Sequence, residues 1–109
     1  YHGFVLGLIV DLADRYRITS NRESGFGRYD VMLEPLREGN PAFVLEFKVH
    51  DPDEEDSLEA TALEALAQID RMKYASALEA RGIPAGRIRK YGFAFQGKRV
   101  LIEGSAEIY

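Results

Sequence analysis

Two apolar arms about ten residues apart constrain this chain most: Arg28-Tyr29-Asp30-Val31-Met32-Leu33-Glu34 and Phe43-Val44-Leu45-Glu46-Phe47-Lys48-Val49. Both are rich in the β-branched, aromatic and aliphatic residues that strands favour, and Pro35 and Gly39-Asn40-Pro41 punctuate the space between them. If the connection folds back symmetrically about Glu38, Leu33 faces Phe43, Val31 faces Leu45 and Tyr29 faces Phe47. That register makes one continuous apolar face, and a slip of one residue would turn the apolar set to the wrong side. The opposite face then sets Asp30 against Glu46, with Lys48 two residues further along.

Carboxylates on opposed strand positions repel, since cross-strand neighbours lie only about 5 Å apart. A divalent cation relieves the repulsion. Mg²⁺, with Mn²⁺ as the alternative, takes one or two carboxylates and completes its shell with water and phosphate oxygens. Strand alternation puts the Lys48 ammonium on the same face, where it can orient a water or stabilise charge on a scissile phosphate. The residues thus fit a metal-dependent phosphodiesterase site; the bland alternative is a solvated outer strand face carrying ordinary charges.

With 109 residues and 46% hydrophobic content, the chain can bury one modest core, so a single domain over residues 1–109 is expected. It has no cysteine, which excludes disulfides and thiolate zinc sites and is compatible with a reducing cytoplasmic setting; its two histidines make a multi-histidine metal centre a poor fit. The apolar run Phe4 to Val10 is far shorter than the roughly 20 residues that cross a bilayer, so no membrane association is expected. The chain begins without methionine inside a helical pattern, which points to a piece of a longer protein. Net charge is -4, yet Asp51-Pro52-Asp53-Glu54-Glu55-Asp56 holds five of the eighteen acids, and Arg81 to Ile102 holds six bases and no acid. The acidic run reads as a solvated loop; the basic zone is either a converging patch or incidental surface charge.

Gly3 to Asp14 reads as a buried helix, with Gly3 and Gly7 allowing close packing, before the strand-like Tyr16-Arg17-Ile18-Thr19. His2 shares a helical face with Leu6, Ile9 and Ala13, either as a hydrogen-bonded core histidine or lining the site. Gly25-Phe26-Gly27 reads as a turn or bulge delivering Arg28 and Asp30 to the sheet. Ser57 to Arg81 reads as one long helix, capped by Ser57 and ended by Gly82, in which Met72 and Tyr74 are packing residues. Ile88 to Phe95, Gln96-Gly97 and Lys98 to Glu103 make a strand-turn-strand, the first strand running parallel to its predecessor across the helix.

The order Ser20-Asn21-Arg22-Glu23-Ser24-Gly25-Phe26-Gly27-Arg28-Tyr29-Asp30, Glu46-Phe47-Lys48, Gln68-Ile69 and Tyr74, with Tyr1-His2-Gly3-Phe4 before and Lys90-Tyr91-Gly92-Phe93-Ala94-Phe95 after, resembles a PD-(D/E)XK nuclease-superfamily domain. More narrowly, it resembles the version that follows AAA-ATPase-like domains in bacterial proteins. The resemblance implies an α/β, restriction-endonuclease-like core in the order αβββαβ, with a mixed four-stranded sheet flanked by helices. It assigns Asp30 and Glu46 to metal binding, Lys48 to catalysis and Gln68 to the polar helix position beside the lysine. The backbone carbonyl of Phe47 is a further candidate ligand. Many members carry an extra acidic residue on the first helix; here no Glu occupies it, and Glu23 or, failing it, His2 is the candidate replacement. Arg22, Arg28 and the later basic zone are candidate phosphate contacts, and Tyr74 belongs to the recognised pattern as a candidate lining residue. The implied partners are nucleic acid, DNA before RNA, an upstream ATPase-like domain, and a second copy of the chain in a homodimer. Two rivals stand beside a nuclease: a catalytically inactive module binding nucleic acid, and an interaction domain docking the ATPase-like region.

Overall fold

The structure is a computed structural model that describes residues 7, 10–23 and 28–104, with backbone alone for residues 21–23 and 28. Strands β1 (Tyr16–Glu23), β2 (Arg28–Pro35) and β3 (Ala42–Val49) precede helices α1 (Leu58–Arg71) and α2 (Tyr74–Ala80), and β4 (Ile88–Gln96) and β5 (Arg99–Gly104) follow. The strands form one mixed sheet in sequence order, antiparallel except for the parallel pair β3–β4. A fifth strand therefore extends the four expected for the core, because the segment after the Gly97 turn pairs back on β4. The β2–β3 register is the one the apolar pattern requires, with Leu33 opposite Phe43, Val31 opposite Leu45, Tyr29 opposite Phe47 and Asp30 opposite Glu46.

Each sheet face carries its own apolar cluster. On one face Tyr16, Val31, Leu33, Leu45, Phe47, Phe93 and Phe95 pack together, with Leu12 against them. Leu12 ends a helical stretch over residues 10–12, so the first helix stops two residues short of the expected Asp14. The remainder of that helix lies outside the described residues, Gly7 excepted. A Cβ at Gly7 would meet nothing within 4 Å among the described residues.

On the other face Met32, Ala42, Val44, Ile69, Leu78 and Ile88 join β2, β3 and β4 to α1 and α2. This face also carries Asp30, Glu46 and Lys48, and it is covered rather than solvated. Covering it requires α1 to come very close to the sheet. A Cβ at Gly92 would lie 2.4 Å from the Ala62 carbonyl oxygen and 2.6 Å from the Leu66 nitrogen, so glycine is what allows the contact. Gly92 pairs with Glu46 on β3, which brings α1 down beside that carboxylate.

The expected single helix over 57–81 is two helices. Ser57 caps the first, its side chain accepting from Ala60 N at 3.0 Å. Lys73 then adopts a left-handed conformation at φ 57°, which breaks the helix and redirects α2. Helical periodicity continues through the break, so spacing alone did not reveal it. Gly82 (φ 97°) ends α2 with Gly82 N donating to Glu79 O and Ile83 N to Leu78 O, while Ile83 packs into the cluster that holds Leu78. No described helix is long and apolar enough to cross a membrane.

Candidate active site

β2 and β3 present Asp30 and Glu46 as direct cross-strand neighbours, and both residues are 0% exposed. Lys48 and Gln68 are also buried, the first on β3 and the second on the sheet-facing side of α1. Tyr74, the first residue of α2, donates its hydroxyl to Asp30 Oδ2 at 2.8 Å. The break at Lys73 thus places Tyr74 over the carboxylate while it packs against the apolar cluster of that sheet face, so it combines packing with contact to the site. Met72, expected to pack, is instead 49% exposed, because the chain leaves the helical path at that point.

Gln68 is held from the side. Its Oε1 accepts from Arg71 Nε at 3.1 Å and from Arg71 Nη2 at 2.8 Å, and the same Arg71 nitrogen pairs with Glu64. The carbonyl end of the amide is thereby engaged, which leaves the NH₂ end as the donor Gln68 can offer.

The acidic run contains a residue of the site that sequence reasoning missed. Lys48 Nζ donates to Glu55 Oε2, and both side chains are about nine-tenths buried. Glu55 Oε1 accepts from the Asp51 backbone N–H at 2.9 Å and from Thr61 Oγ1 at 3.1 Å. His50 Nδ1 lies 2.6 Å from Thr61 Oγ1, whose other neighbour is the Ser57 carbonyl at 3.2 Å. A hydroxyl has one proton, and its two oxygen neighbours only accept. The network therefore assigns the donor role toward Thr61 to His50 Nδ1–H.

Burial alone would push the Glu55 carboxyl upward, but the hydrogen bonds from Lys48, Asp51 N and Thr61, together with the Lys48 charge, bring it below its ordinary 4.5. The run 51–56 is a solvent-exposed turn, as expected, except that Glu55 folds inward; the turn is closed by Asp51 O accepting from the N–H groups of Glu54 and Glu55. A signal for this was present: Ser57 marks a helix start, which returns the preceding acids to the sheet end where Lys48 emerges.

Of the remaining candidates, His2 and the Gly25-Phe26-Gly27 turn lie outside the described residues, as do the side chains of Arg22, Glu23 and Arg28. By backbone register Glu23 pairs with Arg28 at the end of the β1–β2 ladder, and Asn21 is opposite Asp30. Phe47 pairs with β2 and β4 at once, so its carbonyl sits within the ladders of an inner strand.

Among the described residues no three His, Cys, Asp or Glu side chains gather as a metal set. Asp30 and Glu46 nevertheless suit a hard divalent cation: they are oxygen donors, they are opposed, and burial strengthens their mutual repulsion unless a positive charge offsets it.

The PD-(D/E)XK nuclease superfamily matches the chain over residues 1–104. No curated protein and no solved structure matches it.

Proposed function

The chain belongs to the PD-(D/E)XK nuclease superfamily, and from that membership and the site's geometry we propose that it is a divalent-metal-dependent nuclease hydrolysing nucleic-acid phosphodiester bonds. The observation that carries the reading is the opposition of Asp30 and Glu46 across β2 and β3 beneath a helical cover, with Lys48 two residues beyond Glu46.

In this reading Asp30 and Glu46 hold Mg²⁺ or Mn²⁺, with the Phe47 carbonyl and Glu23 as further ligands. Bound there, the cation supplies Lewis-acid polarisation of the phosphate and lowers the pKa of a bound water. Lys48 orients the attacking water and stabilises negative charge developing on the phosphate, and Glu55 fixes where its ammonium can reach. Gln68 presents its NH₂ group toward Lys48 or the nucleophile, Tyr74 holds Asp30 in one rotamer, and His2 lines the site. Arg22 and Arg28 contact phosphate oxygens, which positions the strand without reading its sequence. Both carboxylates are closed to solvent, so in this reading substrate reaches them when part of their cover moves aside.

That closure favours one second reading, a nuclease fold retained to bind nucleic acid without cutting it. Incubation of DNA and RNA with the protein and Mg²⁺ or Mn²⁺ separates the two. Cleavage by the parent that disappears in Asp30→Asn supports the nuclease; metal-independent binding without cleavage supports the module; cleavage by Asp30→Asn at the parent's rate contradicts the assignment of Asp30.

A further inference from the structure

Four arginines converge at the end of the sheet away from the carboxylates. The β2–β3 connection and the segment after α2 form a groove of about 660 Å³ lined by Arg17, Arg37, Arg81 and Arg87, with Glu34 and Glu38 as the acids among its described lining residues. We propose that this groove is a second nucleic-acid contact that holds backbone phosphates several nucleotides from the cleavage site. The proposal rests on the nuclease reading and places a substrate contact that the carboxylate site does not include.

Charge is the first support. The described residues of the groove lining carry a net positive charge on a chain whose net charge is -4, which favours the approach of an anion here. The basic zone beginning at Arg81 contributes two of the four arginines. Glu34 links one of these to a third: its largely buried carboxylate lies 3.5 Å from Arg81 Nη1 and 3.8 Å from Arg17 Nη1, setting two guanidinium groups beside each other at the groove wall. Arg37 and Arg87 have no ion-pair partner among the described residues, so their charge is available to a ligand.

Placement is the second. Asp30 and Glu34 are four residues apart on β2 and project from the same sheet face, which separates them by roughly 13 Å at the strand's rise per residue. α2 spans the same interval, with Tyr74 on Asp30 at its start and Arg81 beside Glu34 at its end. At about 3.4 Å of axial rise per nucleotide, that distance corresponds to about four nucleotides of one strand. Guanidinium groups bind phosphate in a bidentate fork and are suited to this task. A strand entering the site beside α2 would therefore pass the groove.

The test measures binding by fluorescence anisotropy, without metal so that nothing is cut, using labelled single-stranded and duplex DNA and RNA of about 20 nucleotides. The parent is compared with Arg81→Ala/Arg87→Ala and with Arg81→Lys/Arg87→Lys over a range of salt concentrations. We expect the alanine pair to weaken binding about tenfold at low salt and to flatten the plot of log affinity against log salt by roughly 1.4–1.8, with the lysine pair retaining the parent's slope because slope counts charges. An unchanged slope in the alanine pair overturns the groove while leaving the nuclease reading intact. Equal loss of slope in both pairs overturns the charge argument, and absence of binding by the parent to every probe overturns the groove together with the nucleic-acid reading. The Asp30→Asn cleavage assay reports on the nuclease reading independently of the groove.

Discussion

The hydroxyl of Tyr74 donates a 2.8 Å hydrogen bond to Asp30 Oδ2, tying the first residue of α2 to the β2 carboxylate across 44 residues of sequence. A phenol bonded to a buried carboxylate supplies orientation as well as stability, because it restricts the rotamers from which Asp30 can meet a cation. Tyr74→Phe keeps the ring that packs against the apolar cluster and removes only the donor. We expect it to lower stability by about 1–3 kcal/mol, read as a lower urea midpoint at unchanged slope. An unchanged midpoint would show that this bond contributes nothing net.

Gly92→Ala tests the close approach of α1 to β4. The added methyl meets backbone atoms of Ala62 and Leu66, which cannot rotate away, so α1 must lift from the sheet. We expect a loss of about 3 kcal/mol or more and a lower thermal midpoint. Alanine at Gly39, where the surroundings are open although φ is 99°, should cost only about 1 kcal/mol by comparison. Equal losses at the two positions would contradict the packing argument.

Much of this arrangement was legible in the sequence, and the reasons differ by element. The β2–β3 register followed from apolar alternation, since Val31 and Leu45 share a buried face only in one pairing. The parallel β4 and the Gly97 turn followed from connection rules and turn chemistry. The carboxylate face was harder. Alternating charge on β3 reads as solvent-facing, yet α1 and α2 bury it, and only tertiary packing decides which helical face lies on which sheet face. The break at Lys73 was hidden for a similar reason: no glycine or proline marks it, and periodicity runs through it. Glu55 was masked by its acidic neighbours, which made the run look uniformly solvated although one member reaches Lys48.

Glu55 gives the acid limb of stability a specific origin. Its carboxyl is held below the ordinary 4.5 in the folded chain, so the folded state favours the ionised form more than the unfolded state does. The resulting stabilisation is complete above about pH 4.5 and is lost as pH falls through the lower folded value. Glu55→Gln should therefore lose about 3 kcal/mol near neutrality by leaving Lys48 without its counter-charge, and should show a flatter decline in unfolding free energy between about pH 5 and pH 3 than the parent. Parallel curves for parent and variant would remove Glu55 as the source.

Lys48→Met separates the lysine's chemistry from metal holding. In the proposed mechanism it should reduce cleavage by a factor of about a hundred or more while leaving divalent-metal affinity within a few-fold of the parent, measured by single-turnover cleavage beside a metal titration. Loss of metal binding together with cleavage would place Lys48 in the support of the carboxylates rather than in the reaction.

The pairing of Asp30 with Glu46 as a divalent-cation site is the central claim, and titration calorimetry with Mg²⁺ and Mn²⁺ tests it most directly. The parent should bind, and Asp30→Asn and Glu46→Gln should each lose binding while retaining the parent's circular dichroism. Absence of binding in the parent, or undiminished binding in both folded variants, would contradict it.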